Sequence, residues 1–383
     1  MPVTALAGFG PARRSSSSQT SLVWRVDVTL LVATLAVTGL GLLMVYSATR
    51  GTGSVPNKSF LDRQMTFAFV GVGLMAVTML IDYRRLRELA ALAYAATIVV
   101  LLAVLVLGVR VNGARAWFRI GPFQLQPSEF GKIAVIVALA AFFTIDRATP
   151  TARQVLLGLA LAGVPSAIIM LQPDLGTVLV YTAFTTVILT VAGVRPRHLL
   201  LLALVVVAAS AATLQLGVLS EYQVDRLTAF VDQKPTKENV GVFEQQRNAQ
   251  TAIGNGGMLG TGLFDGDQKN SALVSQKQTD FIFTVVGEEL GFAGSAVLVA
   301  LYGIIVLRIW RVGATAPDLF GTLICAGVLG MTMFQVFESI GMSTGIMPIT
   351  GIPLPFVSYG GSSILASFLS VGLVENVHMR RFQ

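Results

Sequence analysis

Long apolar runs alternate with short polar segments along almost the whole chain. The runs lie near residues 28–46, 65–81, 90–109, 128–145, 155–171, 175–193, 199–219, 281–307, 319–340 and 361–377. A helix needs roughly 20 mostly apolar residues to cross the hydrocarbon core of a bilayer. The pattern therefore predicts an all-α polytopic integral membrane protein with about ten transmembrane helices.

The residues before the first run have a different character. Residues 1–22 are rich in serine and lack an apolar face, which predicts a disordered cytoplasmic tail. The run at 28–46 is longer than the roughly 7–15 apolar residues of a cleaved signal peptide, so we expect a retained helix. Residues 23–383 then form a single transmembrane domain, in which 220–280 is a large extracytoplasmic loop.

Arginine clusters mark alternate ends of the predicted spans. Basic residues favour the cytoplasmic side of a membrane. Because the number of predicted spans is even, both termini are expected in the cytoplasm. The clusters are Arg25, Arg84 with Arg85 and Arg87, Arg147 with Arg153, Arg195 with Arg197, Arg308 with Arg311, and Arg380 with Arg381.

Composition narrows the function classes. Apolar residues make up 54% of the chain and charged residues 12%, whereas a soluble domain carries about 25% charged residues. Cys325 is the only cysteine, and His198 and His378 are the only histidines, which excludes an intrachain disulfide and a cysteine-based or histidine-rich metal site. The net charge of +7 follows the span ends, so it indicates membrane topology and no nucleic-acid partner.

Three segments on the side opposite the arginine clusters are unusual for connecting loops. Residues 110–127 are basic, residues 220–280 are long and polar, and residues 341–360 are uncharged and dense in glycine and proline. Long loops in compact proteins are often functional, so we expect the three to form one external site. No predicted strand precedes the glycine-rich run at 254–262, which argues against a nucleotide-binding loop.

Charges at the ends of apolar spans are costly and point to function. Glu129 and Lys132 stand three residues apart and share a helix face, which suits either a neutralising ion pair or part of a site for an anionic ligand. Asp174, between the fifth and sixth spans, suits either a helix N-cap or a functional role.

The end of the long loop carries another acidic group. Asp280 precedes the eighth span, where Glu288 and Glu289 follow, and either Asp280 or Thr279 could simply cap the helix. A carboxylate beside cations near a membrane surface also suits a general base next to a phosphate leaving group. A lipid phosphate would fit such a site, although a transporter would share this composition.

The segment from Gly341 to Ser363 reads GMSTGIMPITGIPLPFVSYGGSS. Its prolines interrupt a helix and its glycines allow close backbone approach. We interpret it as a re-entrant segment that lines the site, with a plain connecting loop as the alternative.

Five motifs occur in order after the first span. They are NGAR at 112–115 with QPSE at 126–129 and Lys132, QPDLGT at 172–177, AIG with GG at 252–257, TDFIF at 279–283 with GEELG at 287–291, and GIPLPFVSYGGS at 351–362. Together they resemble the shape, elongation, division and sporulation (SEDS) family. The stretch RIGPFQ at 119–124 resembles the rod-shape members more than the division members.

The resemblance implies a peptidoglycan glycosyltransferase that polymerises lipid II at the outer face of the bacterial cytoplasmic membrane. It also implies a partner, a class B penicillin-binding protein acting as transpeptidase, among other proteins of the elongation machinery. By matching motif positions, Asp280 is the essential acidic residue, and Glu129, Lys132 and Asp174 line a central cavity.

The sequence departs from the family pattern near Asp280. Residues 274–278 read VSQKQ where family members often have Val-Pro-Glu-x-His. Ser339 and Asn255 also stand where asparagine and serine are common. These changes affect the expected loop shape and any role of the missing side chains, whereas Asp280 is intact.

The expected reaction is an inverting glycosyl transfer in which Asp280 is the general base. Arg115, Arg119 and Lys132 would offset the charge of the diphosphate leaving group, with a divalent cation, Mg²⁺ or Mn²⁺, as a candidate cofactor of unassigned ligands. A lipid II flippase and a membrane scaffold are the alternatives from other classes. The remaining candidate substrate-binding residues are Trp117, Glu129, Asp174, Glu288, Ser358 and Gly360.

Overall fold

The computed structural model describes residues 25–50, 58–111, 114–121, 123–145, 149–200, 240–266 and 277–381. Most of these residues are helical, and a helix also begins at residue 196. The labelled helices are α1 (Val28–Thr49), α2 (Ser59–Leu80), α3 (Tyr83–Leu107), α4 (Pro127–Phe143), α5 (Ala152–Met170), α6 (Leu175–Val191), α7 (Val240–Asn255), α8 (Ile282–Ala314), α9 (Leu319–Thr344) and α10 (Gly361–Met379). The strands are β1 (Val109–Val111), β2 (Ala114–Ile120) and β3 (Phe123–Leu125).

The apolar runs correspond to helices throughout the described ranges. Six helices, α1, α2, α3, α5, α8 and α9, are long and apolar enough to cross a membrane, and α6 is a shorter apolar helix. The helices α2 and α3 begin several residues before their apolar runs, because charged residues occupy their first turns. The predicted tail at 1–22 and most of the predicted span at 199–219 lie outside the described residues, so the total of about ten spans stays a prediction.

The basic segment between α3 and α4 is a small sheet and not an irregular loop. Strands β1, β2 and β3 pair in that order and antiparallel, with Arg110 opposite Arg115 and Arg119 opposite Gln124. The sheet folds back on the C-terminal end of α3, where the guanidinium of Arg115 donates to the carbonyl oxygen of Leu105 at 3.1 Å. This sheet is an addition to the predicted all-α architecture.

The membrane helices pack around one apolar core. Helix α10 packs against α2, α9 against α6 and α8, α3 against α4, and α1 against α8. At the arginine-bearing end, the carboxylate of Asp27 accepts a hydrogen bond from Nε of Arg308 at 2.7 Å, and Glu375 accepts one from the backbone N–H of Asp27 at 3.0 Å. These polar contacts join the ends of α1, α8 and α10.

Helix α8 is broken at Gly291, which has φ +64° and ψ −162°. A side chain would be strained in this left-handed region, and a Cβ here would also meet the backbone of Gly260 and Leu259. The loop after α7 compensates for the break, because the N–H groups of Thr261 and Gly262 donate to the carbonyl oxygens of Glu288 and Glu289 at 3.0 and 3.2 Å. A short half-helix before Gly291 is thus distinct from the long membrane helix after it.

Close packing of α1 against the segment after α9 gives a test of the fold. A Cβ on Gly41 would lie 2.5 Å from the carbonyl oxygen of Phe356 and 2.6 Å from Cα of Val357, whereas one on Gly39 would meet nothing within 4 Å. We expect Gly41→Ala to lower the free energy of unfolding by about 1–3 kcal/mol through overpacking. Gly39→Ala, the matched control, should preserve or raise stability, since alanine favours a helix over glycine by roughly 0.5–1 kcal/mol. Equal melting temperatures of the two variants in detergent would contradict this packing.

Candidate active site

Glu129 and Lys132 form a buried ion pair at the N-terminal end of α4. Nζ of Lys132 lies 2.7 Å from Oε1 of Glu129, and the two residues are 2% and 4% exposed. Pro127 opens the helix, where its missing N–H has no cost, and Glu129 occupies the first turn, where the helix dipole favours an anion. The predicted ion pair is therefore confirmed, and its burial makes it a costly feature for stability alone.

Asp174 caps α6 and also contacts the residue that leads into α4. Its carboxylate accepts hydrogen bonds from the backbone N–H of Thr177 at 3.0 Å and from the Thr177 hydroxyl at 2.7 Å. The side-chain amide of Gln126 donates to the same carboxylate at 3.0 Å. Burial raises the pKa of Asp174, the hydrogen bonds from Thr177 lower it, and the charges of Glu129 and Lys132 act on it as well. Asp174 is therefore the N-cap of α6, and its carboxylate also interacts with the charges of Glu129 and Lys132.

The glycine- and proline-rich segment is irregular and largely buried between α9 and α10, whereas residues 341–344 end α9 and residues 361–363 begin α10, so the irregular part is shorter than predicted. Leu354 and Val357 have no exposed surface, and Ser358 is 2% exposed. The Ser358 hydroxyl accepts a hydrogen bond from the N–H of Leu354 at 2.8 Å, and the Ser358 carbonyl accepts one from the amide of Gln64 at 3.0 Å. Gly360 donates its N–H to the other end of the Gln64 amide at 3.3 Å. Ser358 and Gly360 therefore shape this segment and fix it to α2.

The same segment contacts two groups of candidate residues. On one side, the N–H of Tyr359 donates to the carbonyl oxygen of Gln278 at 2.8 Å, two residues before Asp280. On the other side, the N–H of Gln126 donates to the hydroxyl of Ser362 at 2.8 Å. Residues 351–362 thus connect the segment that leads to Asp280 with the group of Asp174, Glu129 and Lys132.

Asp280 is not the N-cap of α8. Phe281 holds that position, so neither Asp280 nor Thr279 occupies the N-cap that was the alternative to a functional role. Asp280 itself is half-buried. The fully buried ring of Phe281 packs in a small cluster with Ala249 of α7 and Ile349. Asp280 therefore lies between two fixed points of the chain. Phe281, which follows it, is packed in the cluster, and Gln278, two residues before it, is bonded by Tyr359.

The two glutamates of α8 are both 1% exposed. The carboxylate oxygens of Glu289 accept from the hydroxyl of Ser47 at 2.6 and 2.7 Å, which links the half-helix to the C-terminal end of α1. The backbone carbonyl of Glu288 accepts from the hydroxyl of Thr261 in the loop after α7, and a Cβ on Gly266 would lie 2.9 Å from the Glu288 carboxyl carbon. Glu288 thus lies under the loop after α7, within the half-helix that Asp280 precedes.

The aromatic and basic candidates on β2 are placed differently from one another. Arg115 is half-buried and directed to the backbone of α3, whereas Arg119 is exposed. Trp117 is half-buried opposite Val109 of β1. Arg119 is therefore the exposed arginine of β2, and Arg115 also has a structural role.

Three of the polar residues described above were not identified as functional candidates from the sequence. Gln126 bridges Ser362 and Asp174, Gln64 fixes the buried segment, and Ser47 binds Glu289. Each is a polar residue within or next to an apolar run, and this position is the sequence feature that could have identified it.

The described ranges contain no group of three or more His, Cys, Asp or Glu side chains that could hold a metal ion. The carboxylates of Glu129 and Asp174 are instead occupied by Lys132, Gln126 and Thr177. These residues do not fit a divalent cation, so no step is assigned to Mg²⁺ or Mn²⁺. The requirement for a cation stays a prediction from the sequence.

Known proteins match this chain over almost its whole length. Residues 28–383 match the cell cycle protein family of FtsW, RodA and SpoVE. Stage V sporulation protein E of Bacillus subtilis (strain 168) is 37% identical over 92% of this chain and 96% of that protein. The peptidoglycan glycosyltransferase RodA of Treponema pallidum (strain Nichols) is 30% identical over 93% of this chain and 98% of that protein.

A solved structure shows the same fold. One chain of a peptidoglycan synthase complex, solved in work on the structural coordination of polymerization and crosslinking, superposes with a TM-score of 0.80. It is 32% identical, and the match covers 94% of this chain and 99% of that chain. The resemblance in the five motifs is thereby confirmed: this chain belongs to the FtsW, RodA and SpoVE family of multi-pass membrane proteins, the SEDS family.

Proposed function

We propose that this protein is a peptidoglycan glycosyltransferase, which polymerises lipid II into glycan strands at the outer face of the cytoplasmic membrane during cell elongation. Family membership and the name of the RodA relative support the activity. The observation that carries the proposal is the position of residues 351–362. This segment contacts both the chain that leads to Asp280 and the residue that binds Asp174.

In the proposed reaction, the carboxylate of Asp280 accepts the proton of the 4-hydroxyl on the acceptor N-acetylglucosamine. The hydroxyl oxygen forms a bond to the anomeric carbon of the N-acetylmuramic acid on the growing chain. The bond from that carbon to the diphosphate breaks with inversion, and undecaprenyl diphosphate leaves with the electron pair. Glycosyl transfer of this kind needs positive charge near the leaving group, which Lys132, Arg115 and Arg119 supply in this proposal.

The proposed orientation places the arginine-rich helix ends and both termini in the cytoplasm. The sheet, α7 and residues 345–360 then face outward, where a substrate with an extracytoplasmic headgroup would be met. We further propose that a class B penicillin-binding transpeptidase is the partner, within the elongation machinery. The likeness to a chain of a peptidoglycan synthase complex supports an assembly of this type.

Asp280→Asn should abolish glycan polymerisation, because the amide keeps the size of the carboxylate but cannot accept a proton at neutral pH. The measurement is glycan formation from purified lipid II by the protein with its transpeptidase partner. Asp265→Asn is the matched control, since it removes an exposed carboxylate from the same outer loop and should leave the polymer yield unchanged. Near wild-type yield from the Asp280 variant would remove this residue from the mechanism.

Glu129→Gln and Lys132→Met should each destabilise the protein strongly, because each leaves an unpaired charge at a buried site, at a cost on the order of 3–5 kcal/mol. The double variant should recover much of that loss in a double-mutant cycle of thermal unfolding. We expect the double variant to stay inactive in polymerisation, which separates a functional pair from a structural one. Recovery of stability and activity together would make the pair purely structural.

Arg119→Ala and Arg115→Ala should impair polymerisation of lipid II supplied in detergent, because a desolvated diphosphate needs fixed positive charge. Arg153→Ala and Arg311→Ala, at the opposite end of the helices, are the matched charge controls and should retain activity. This assay requires no movement of lipid across a bilayer. If the unmodified protein and its partner form no glycan in it, the flippase or scaffold alternative takes precedence.

A further inference from the structure

The outer loop after α7 exposes large apolar side chains at its tip. Met258 is 69% exposed and Leu259 is 84% exposed, and Leu263, shortly after, is 42% exposed. These residues lie within the segment 220–280, which was predicted to be polar and extracytoplasmic, so exposed large apolar side chains are unexpected there. Two adjacent large apolar side chains exposed to water are unfavourable in a soluble loop and indicate an interaction surface.

The backbone of the tip is fixed to α8 and does not project freely. The N–H of Phe292 donates to the carbonyl oxygen of Gly257 at 2.9 Å, and the N–H of Ala293 donates to that of Met258 at 3.0 Å. Cβ atoms on Gly256 or Gly260 would collide with the carbonyl groups of Gly287 and Glu289, so glycine permits the close approach. The height of Met258 and Leu259 along the membrane normal is therefore set by α8.

The length of α8 places that height at the edge of the hydrocarbon core. Arg308 and Arg311 lie 16 and 19 residues after Phe292. At a rise of 1.5 Å per residue, these spacings correspond to about 24 and 29 Å. The hydrocarbon core is roughly 30 Å thick. With the two arginines at one boundary, Phe292, which is 65% exposed, lies inside or at the other boundary, and any tilt of the helix moves it further inside.

The apolar tip also continues the lipid-facing side of α8. Val297, Val299 and Leu307 are 56%, 46% and 62% exposed along the same helix. We propose that residues 256–262 form a membrane anchor, in which Met258 and Leu259 insert among the phospholipid acyl chains of the leaflet opposite the arginine-rich ends. In the orientation proposed above, this is the outer leaflet. The anchor itself does not depend on the proposed glycosyl transfer.

The anchor has a structural consequence for the half-helix of α8. The same loop donates hydrogen bonds to the carbonyl oxygens of Glu288 and Glu289. Insertion of Met258 and Leu259 therefore fixes the depth of residues 282–290 relative to the bilayer surface, and Asp280 immediately precedes these residues. A site held at constant depth suits a substrate whose reacting group is itself held by a lipid tail.

Site-directed spin labelling of the full chain tests the anchor. Cys325 is buried and would be replaced by Cys325→Ala, which allows single labels at Leu259→Cys, Val299→Cys and Thr251→Cys. After reconstitution in phosphatidylglycerol and phosphatidylcholine nanodiscs, power saturation would compare collision with lipid-soluble oxygen and with a water-soluble nickel chelate. Val299 is the lipid-facing control and the exposed Thr251 of α7 is the aqueous control.

We expect the label at residue 259 to favour oxygen over nickel by several fold, as at residue 299, and the label at residue 251 to favour nickel. A label at residue 259 that behaves like the one at 251 would place the tip in water and overturn the anchor. Low accessibility to both reagents would indicate a protein contact and would overturn it equally. Met258→Cys provides a second position if the Leu259 variant does not fold.

Discussion

Irregular backbone at membrane depth needs an internal partner for every polar group, because lipid offers none. The buried, non-helical residues between α9 and α10 need internal partners for the same reason. The hydroxyl of Ser358 satisfies the N–H of Leu354, the amide of Gln64 satisfies the Ser358 carbonyl, and the hydroxyl of Tyr302 donates to the Pro355 carbonyl. Only with these groups paired can a non-helical segment lie between the helices, where it reaches both halves of the candidate site.

The same constraint governs the charged side chains of the site. Lys132 neutralises Glu129, Asp174 is bonded by Thr177 and Gln126, and Glu289 is bonded by Ser47. Two of these contacts, Gln126 with Asp174 and Ser47 with Glu289, join different helices, so they position the helices as well as compensate the charges. Substitutions in the site are consequently expected to alter both activity and stability, and separating the two requires paired variants.

The apolar runs predicted the helices well, because the length of a membrane span is set by the bilayer and is readable from residues such as those of α1 and α9. The i, i+3 spacing of Glu129 and Lys132 also predicted their contact. The break at Gly291 was not predicted, because the run at 281–307 has the length of a single span, although Glu288 and Glu289 interrupt its apolar character just before the break. The bridge from Gln126 to Asp174 joins residues far apart in sequence, and no local pattern contains it. The strands at 109–125 are too short and too mixed in polarity to show the alternation of apolar and polar residues that identifies a strand.

The contact between the last helix and α2 constrains how the protein is made. The guanidinium of Arg380 donates to the carbonyl oxygens of Met79 and Leu80, and the amide of Asn376 donates to those of Thr78 and Ile81. These carbonyl groups end α2 and have been synthesised long before α10 emerges from the ribosome. Until α10 is in place, these acceptors at the turn between α2 and α3 must therefore bond other partners, such as water. The C-terminal end of α2 is thus completed only by α10, so a chain without Asn376 and Arg380 would leave an early part of the fold unfinished.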